Sequence, residues 1–216
     1  MTDFEDFELS DENLDSHWLG ENRDTATEIC EKRIPGRYAD ATPDHPEVAA
    51  WVREICWQAA REARAMNPVV RKGPSLLILG PVGTGKTYQA YGAIRAIAHS
   101  GALCSWRLET AADIYAGLRP RPRFDSEQAF RELATVKLLV VDDLGAAKGS
   151  EWTEEVNYRL INYRYEHRLP TVVTSNIPAK ELATNLGERV TSRLREMAKL
   201  VALAGDDRRQ PPKEAA

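Results

Sequence analysis

The sequence predicts an α/β protein: a five-stranded parallel sheet sandwiched by helices, with a short acidic N-terminal tail and a small N-terminal helical region. Three observations carry that reading. Short apolar runs alternate with longer segments of helical period, as in a parallel sheet covered on both faces. The first run opens into a complete glycine-rich phosphate-binding signature, and a later run closes on two adjacent aspartates. The chain has 216 residues, room for one substantial domain, and its 43% hydrophobic and 29% charged content is that of an ordinary globular protein. No stretch approaches the ~20 apolar residues that cross a bilayer.

Residues 1–31 hold 11 acidic side chains against the single base Arg23. Such a composition disfavours a packed core, so this segment is expected to be a mostly disordered tail with a role in binding a partner. From Lys32 onward 28 basic residues face 22 acidic ones, a body suited to meeting a polyanion. Residues 32–74 form a linker and helix. Pro35, Gly36 and Pro43 mark turns, Pro46 suits the first position of a helix, and Val48, Trp51, Val52, Ile55, Cys56 and Ala59 recur at helical spacing up to Met66.

The core spans residues 75–209. Its first strand is Ser75–Leu79, followed by a helix from Lys86 to His99 with Ala90, Ala93, Ile94 and Ile97 on one face. Ala102–Trp106 reads as a weaker second strand. Lys137–Val141 is apolar enough to be buried on both faces and is the third. A helix over Trp152–His167 leads to a fourth strand at Pro170–Thr174, and a helix over Glu188–Met197 to a fifth at Leu200–Leu203. Residues 210–216 are expected to be disordered. Cys30, Cys56 and Cys104 form no CxxC pair and no Cys/His ligand cluster, which supports neither a zinc knuckle nor a disulfide framework. The opening residues lack the basic-then-apolar pattern of an export signal, so a reduced, cytoplasmic protein away from membranes is expected.

Gly80, Pro81, Val82, Gly83, Thr84, Gly85, Lys86 and Thr87 match GxxxxGK[ST] at every fixed position, between a strand and a helix as the P-loop requires. Glycines let the backbone wrap around phosphate oxygens with its N–H groups turned inward, and the following helix adds its positive dipole end. Lys86 supplies charge for the β- and γ-phosphates, and Thr87 a hydroxyl for Mg2+. ATP and Mg2+ are therefore the expected cofactors, with Tyr88 continuing the binding segment. Asp142 and Asp143 stand at the carboxyl end of the third strand, where parallel sheets bind ligands. Asp142 is placed to hold Mg2+ through water, and Asp143 to orient or deprotonate the water that attacks the γ-phosphate.

With these elements in place, the chain resembles the AAA+ P-loop NTPases of bacterial helicase loaders, the DnaC/DnaI type, and the related IstB-like ATP-binding family. The likeness spans roughly residues 34–209. It rests on Ile34-Pro-Gly-Arg-Tyr38, the P-loop, Val140-Val-Asp-Asp-Leu-Gly145, Pro170-Thr-Val-Val-Thr-Ser-Asn176, Gly187-Glu-Arg-Val-Thr-Ser-Arg-Leu194 and Gly205-Asp-Asp-Arg-Arg209. The resemblance implies that Asn176 is the polar sensor beside the γ-phosphate. It implies that Arg193 is an arginine finger reaching the ATP site of an adjacent subunit, with Arg189 one helical turn earlier as a competitor. Arg209 or Arg208 would be the late arginine near the nucleotide. Many AAA+ proteins carry Glu where this chain has Asp143, whose shorter reach bears on hydrolysis rate.

Arg119, Arg121 and Arg123 lie in a Pro-interrupted segment ending at Phe124. In the loaders this region resembles a helical insertion that touches single-stranded DNA, and guanidinium groups with an aromatic suit that ligand. The resemblance thus implies an ATPase that self-associates in an ATP-dependent spiral or ring and loads a replicative ring helicase onto single-stranded DNA. A transposition helper and a non-hydrolysing nucleotide switch remain alternatives. A small-molecule kinase gives the Asn176 and Arg193 blocks no role.

Overall fold

Three of the five strands, β1 (Ser75–Leu79), β3 (Leu138–Asp142) and β4 (Thr171–Ser175), are buried along their whole length, which is why they read as unbroken apolar runs. The computed structural model describes residues 16–63, 67–146, 149–205 and 207–208, with side chains from Arg23 onward. Together with β2 (Trp106–Thr110) and β5 (Ala198–Ala202) these strands form one parallel sheet in the order β2-β3-β4-β1-β5. The register pairs Leu76 with Val172, Val140 with Val172 and Leu77 with Leu200.

Alternation along each strand feeds two separate cores. Leu76, Ile78, Val140, Val172 and Val201 face α1 (Ser16–Arg33), α2 (Pro46–Glu62) and α3 (Lys86–His99). Leu77, Leu79, Leu139, Val141 and Val173 face α4 (Ala111–Leu118), α5 (Ser126–Thr135), α6 (Glu151–Glu166), α7 (Leu182–Leu186) and α8 (Glu188–Met197). The expected sandwich is present. Local signals start several helices: Pro46 at the first turn of α2, the Asp125 side chain accepting from Gln128 N at α5, and a Ser150/Thr153 capping box at α6.

Two readings are corrected. The segment expected to be mostly disordered through residue 31 contains most of α1. This helix docks on α3; among its described side chains Cys30 is buried with Ala26 packed beside it, while Ile29 is 54% exposed. Its buried face therefore leaves little apolar periodicity to read, and docking rather than propensity holds it. Arg33 completes the dock, its guanidinium 4.0 Å above the Trp106 ring and donating to the Trp106 carbonyl at 2.9 Å. The second strand runs over Trp106–Thr110, not Ala102–Trp106. The apolar run before it makes a single parallel bridge to the linker, Leu103 with Val69, with Leu103 N donating to Pro68 O at 2.8 Å. The true strand is a sheet edge, half-buried and polar, with Arg107 and Glu109 paired along it at 2.5 Å. Two helices, α4 and α5, lie between this strand and β3.

The amino ends of β3 and β4 are joined by one side chain. Arg164, on α6, is fully buried and uses all five of its N–H donors. Nε donates to Thr171 Oγ1 at 2.7 Å, Nη1 to the carbonyls of Ala134 and Val136 at 2.9 and 2.8 Å, and Nη2 to those of Lys137 and Pro170 at 3.3 and 2.8 Å. Burial lowers its pKa to about 9, so it remains charged at neutral pH. Arg164→Met strands these acceptors in the interior and is expected to cost about 3 kcal/mol. Urea unfolding of the variant beside the parent measures the loss.

Candidate nucleotide site

The chain leaves β1 at Gly80 and turns into α3 through a loop whose glycines take conformations closed to other residues. Gly83 has φ 84° and Gly85, the residue capping α3, has φ 92°. A side chain at Gly83 would also collide with the Asp207 carboxylate. Thr84 Oγ1 donates to Pro81 O at 2.9 Å, which tightens the loop. Buried Lys86 directs its ammonium to Gly80 O and Pro81 O, both at 2.8 Å, and to Asn176 Oδ1 at 2.5 Å.

One helical position on, Thr87 Oγ1 lies 3.1 and 3.0 Å from the two Asp142 oxygens. Asp142 is buried at the end of β3 and accepts a second hydroxyl, Thr174 Oγ1, at 2.6 Å. That threonine accepts in turn from Asp143 N at 2.9 Å. Asp143 sits at φ 58°, a left-handed conformation that aspartate tolerates better than most side chains. Its carboxylate accepts from Asn176 Nδ2 at 2.5 Å, so a single amide spans Lys86 and Asp143.

Beside the loop lies a cavity of about 290 Å³ lined by Arg37, Tyr38, Gly83, Gly85, Lys86, Thr87, Tyr88 and Arg208. Tyr38 stacks on Tyr91 at 4.5 Å, and Tyr88 OH donates to Asp40 O at 2.9 Å. Arg208 N donates to Gly83 O at 3.0 Å, and the Arg208 guanidinium is 3.7 Å from Asp44. A larger cavity, about 700 Å³, opens at the amino ends of the strands around Ser75, Arg168 and Leu169 and contains none of the loop or strand-end acids. The smaller cavity is therefore the candidate site.

The structure brings Gly80–Tyr88, Asp142, Asp143 and Asn176 together. Arg193 is elsewhere, its side chain on α6 and none of its partners a residue of this cluster. Arg119, Arg121 and Arg123 are exposed on the connection between α4 and α5. Of the two late arginines, Arg208 lines the cavity; Arg209 lies outside the described residues. Sequence reasoning missed Thr174, Arg37 and Tyr38. A threonine at the carboxyl end of an otherwise apolar strand was the signal for the first. Arg37 and Tyr38 stood in a block that carried the resemblance but suggested no chemistry.

Among the described residues no helix is long and apolar enough to cross a membrane. A parallel sheet in this order, with a P-loop after β1, acids after β3 and a polar amide after β4, defines the AAA+ class of P-loop NTPases. The family model described as IstB-like ATP binding protein matches residues 61–216, more than half of the chain, and the chain belongs to that family. It is 29% identical over 124 residues to the replicative helicase loader DnaC of Escherichia coli strain K12, covering 56% of this chain and 50% of that protein. The matched region thus spans about half the length of that relative. The crystal structure of the DnaC helicase loader superposes with a TM-score of 0.61 at 26% identity, covering 79% of this chain and 100% of that one. DnaI shares the fold at 21% identity and a TM-score of 0.61, covering 82% of this chain and 94% of its own.

Thr174→Val keeps the shape of the strand end but removes the hydroxyl between Asp142 and Asp143. Loss of a bond to a charged acceptor predicts a destabilisation of about 2 kcal/mol. The denaturation midpoint of the variant measures it.

Proposed function

We propose that this chain binds and hydrolyses ATP at interfaces between copies of itself, and that it uses the cycle to load a replicative ring helicase onto single-stranded DNA. The observation that supports the ATPase reading best is the gathering of Lys86, Thr87, Asp142, Asp143 and Asn176 within one hydrogen-bonded cluster. In this reading Lys86 exchanges its loop carbonyls for the β- and γ-phosphoryl oxygens, and the loop N–H groups take up the rest. The Thr87 hydroxyl and Asp142 carboxylate are a pair of hard oxygen donors that suits Mg2+, and they would hold it. When bound, the ion neutralises charge on the phosphates. Asp143 orients the attacking water and takes its proton as the water oxygen bonds to the γ-phosphorus. The bond to the β–γ bridging oxygen breaks, leaving ADP and inorganic phosphate. Asn176 holds Asp143 and contacts the γ-phosphate. Tyr38 and Arg37 offer a wall for the base, and Arg208 a second cation at the mouth.

The loader reading draws on the likeness to DnaC, on the acidic N-terminal segment with Phe4, Phe7 and Trp18 as its partner contact, and on three exposed arginines. Pro120 and Pro122 stiffen that arginine segment. Arg121 lies 4.2 Å over Phe124 and Arg119 5.4 Å over Trp152, pairing cation with aromatic surface as single-stranded nucleic acid prefers.

Lys86→Ala is expected to abolish ATP binding in an equilibrium titration with Mg2+. Arg193→Ala is expected to retain affinity yet lose about 1000-fold in phosphate release, the scale of an arginine finger. Size-exclusion chromatography with a ring helicase, with and without ATP, is expected to give a complex that forms in the presence of nucleotide. An active ATPase that ignores the helicase but retains a transposase would move the assignment to a transposition helper.

A further inference from the structure

We infer that Asn162 and Tyr165 are positioning residues that hold Arg193 in a fixed fork, its two terminal nitrogens presented to a phosphoryl group bound by a neighbouring copy. The inference rests on the interface-shared ATP site proposed above.

Arg193 and its two holders face each other across the α6–α8 contact. Arg193 Nε donates to Asn162 Oδ1 at 3.2 Å, and the guanidinium lies 4.6 Å over the Tyr165 ring. Asn162 and Tyr165 are three apart on α6 and so share a face. Each holder is itself secured. Asn162 Nδ2 donates to Glu166 Oε1 at 2.8 Å, which fixes the amide with its oxygen toward Arg193. Tyr165 OH bonds the carboxylate of Glu196, one helical turn beyond Arg193 on α8. That bond raises the Tyr165 pKa.

These contacts engage Nε and one face of the guanidinium. Among the described residues Nη1 and Nη2 make no hydrogen bond. They are the planar pair of donors that matches phosphoryl oxygens bidentately. Arg189, the other candidate finger, is exposed, lies 5.6 Å over Tyr158 and has no hydrogen bond to its guanidinium among the described residues. Of these two candidate fingers, only Arg193 is fixed at its root with its fork unengaged. Holding a long side chain in place before the phosphate arrives removes an ordering cost from the transition state.

The test uses mixed assemblies of full-length chains. A subunit carrying Arg193→Ala keeps its own P-loop, and a subunit carrying Lys86→Ala keeps its own Arg193. If the finger acts between copies, mixing the two inactive proteins restores ATP hydrolysis. Adding Asn162→Ala or Tyr165→Leu to the Lys86→Ala subunit is then expected to lower the restored kcat about tenfold, while the KM of the accepting subunit stays within twofold. Tyr165→Phe, which keeps the ring, is expected to lose about threefold at most. In the otherwise natural chain, Asn162→Ala and Tyr165→Leu should bind ATP with the parental Kd, which checks that they fold. A second measurement separates positioning from packing: with Arg193→Lys in the donor, which lacks Nε and a planar face, adding Asn162→Ala should change nothing further. Restoration undiminished by Asn162→Ala and Tyr165→Leu overturns the inference and leaves the shared site standing, as does a tenfold loss that persists in the Arg193→Lys donor. Failure of the plain Lys86→Ala donor to restore hydrolysis overturns the shared site, and the inference with it.

Discussion

β4 lies between β1 and β3, and the candidate site depends on that placement. A residue at its carboxyl end has the phosphate loop on one side and the strand-end acids on the other. Thr174 and Asn176 occupy this position. Thr174 links Asp142 to the backbone of Asp143, and Asn176 links Asp143 to Lys86. Groups from three strand ends and one helix start are thereby held in one network, as expected for polar groups brought together in a low-dielectric interior.

The same placement explains what the sequence made legible. Motifs that are contiguous in the chain were legible because their geometry is local. The P-loop carries its own turn and helix start, and the acid pair follows a strand buried on both faces. Thr174 was invisible as a site residue because its significance depends on the register of β3 against β4, which pairs Leu139 with Thr171 and so aligns the two carboxyl ends. The β2 strand was displaced because the apolar residues before it bridge to the linker at Val69, while the edge strand itself is polar. The helix α1 was missed because, among its described side chains, those packed inward are Ala26 and Cys30, small groups that leave a weak hydropathy signal.

Arg193 illustrates a different limit. The Gly187–Leu194 block placed it on a helix with Arg189 as a rival on the same face, and nothing in the chain separated the two. The difference between them comes from α6, about 30 residues earlier, whose side chains meet one arginine at its Nε and the other only at a ring face. Pairings between helices distant in sequence are set by tertiary packing, and no spacing rule foretells them.

Arg164 connects the amino ends of β3 and β4 entirely through carbonyl and hydroxyl oxygens. Those acceptors do not titrate, and a guanidinium only becomes more firmly charged as protons are added. Acidification therefore leaves this amino-end joint between β3 and β4 intact.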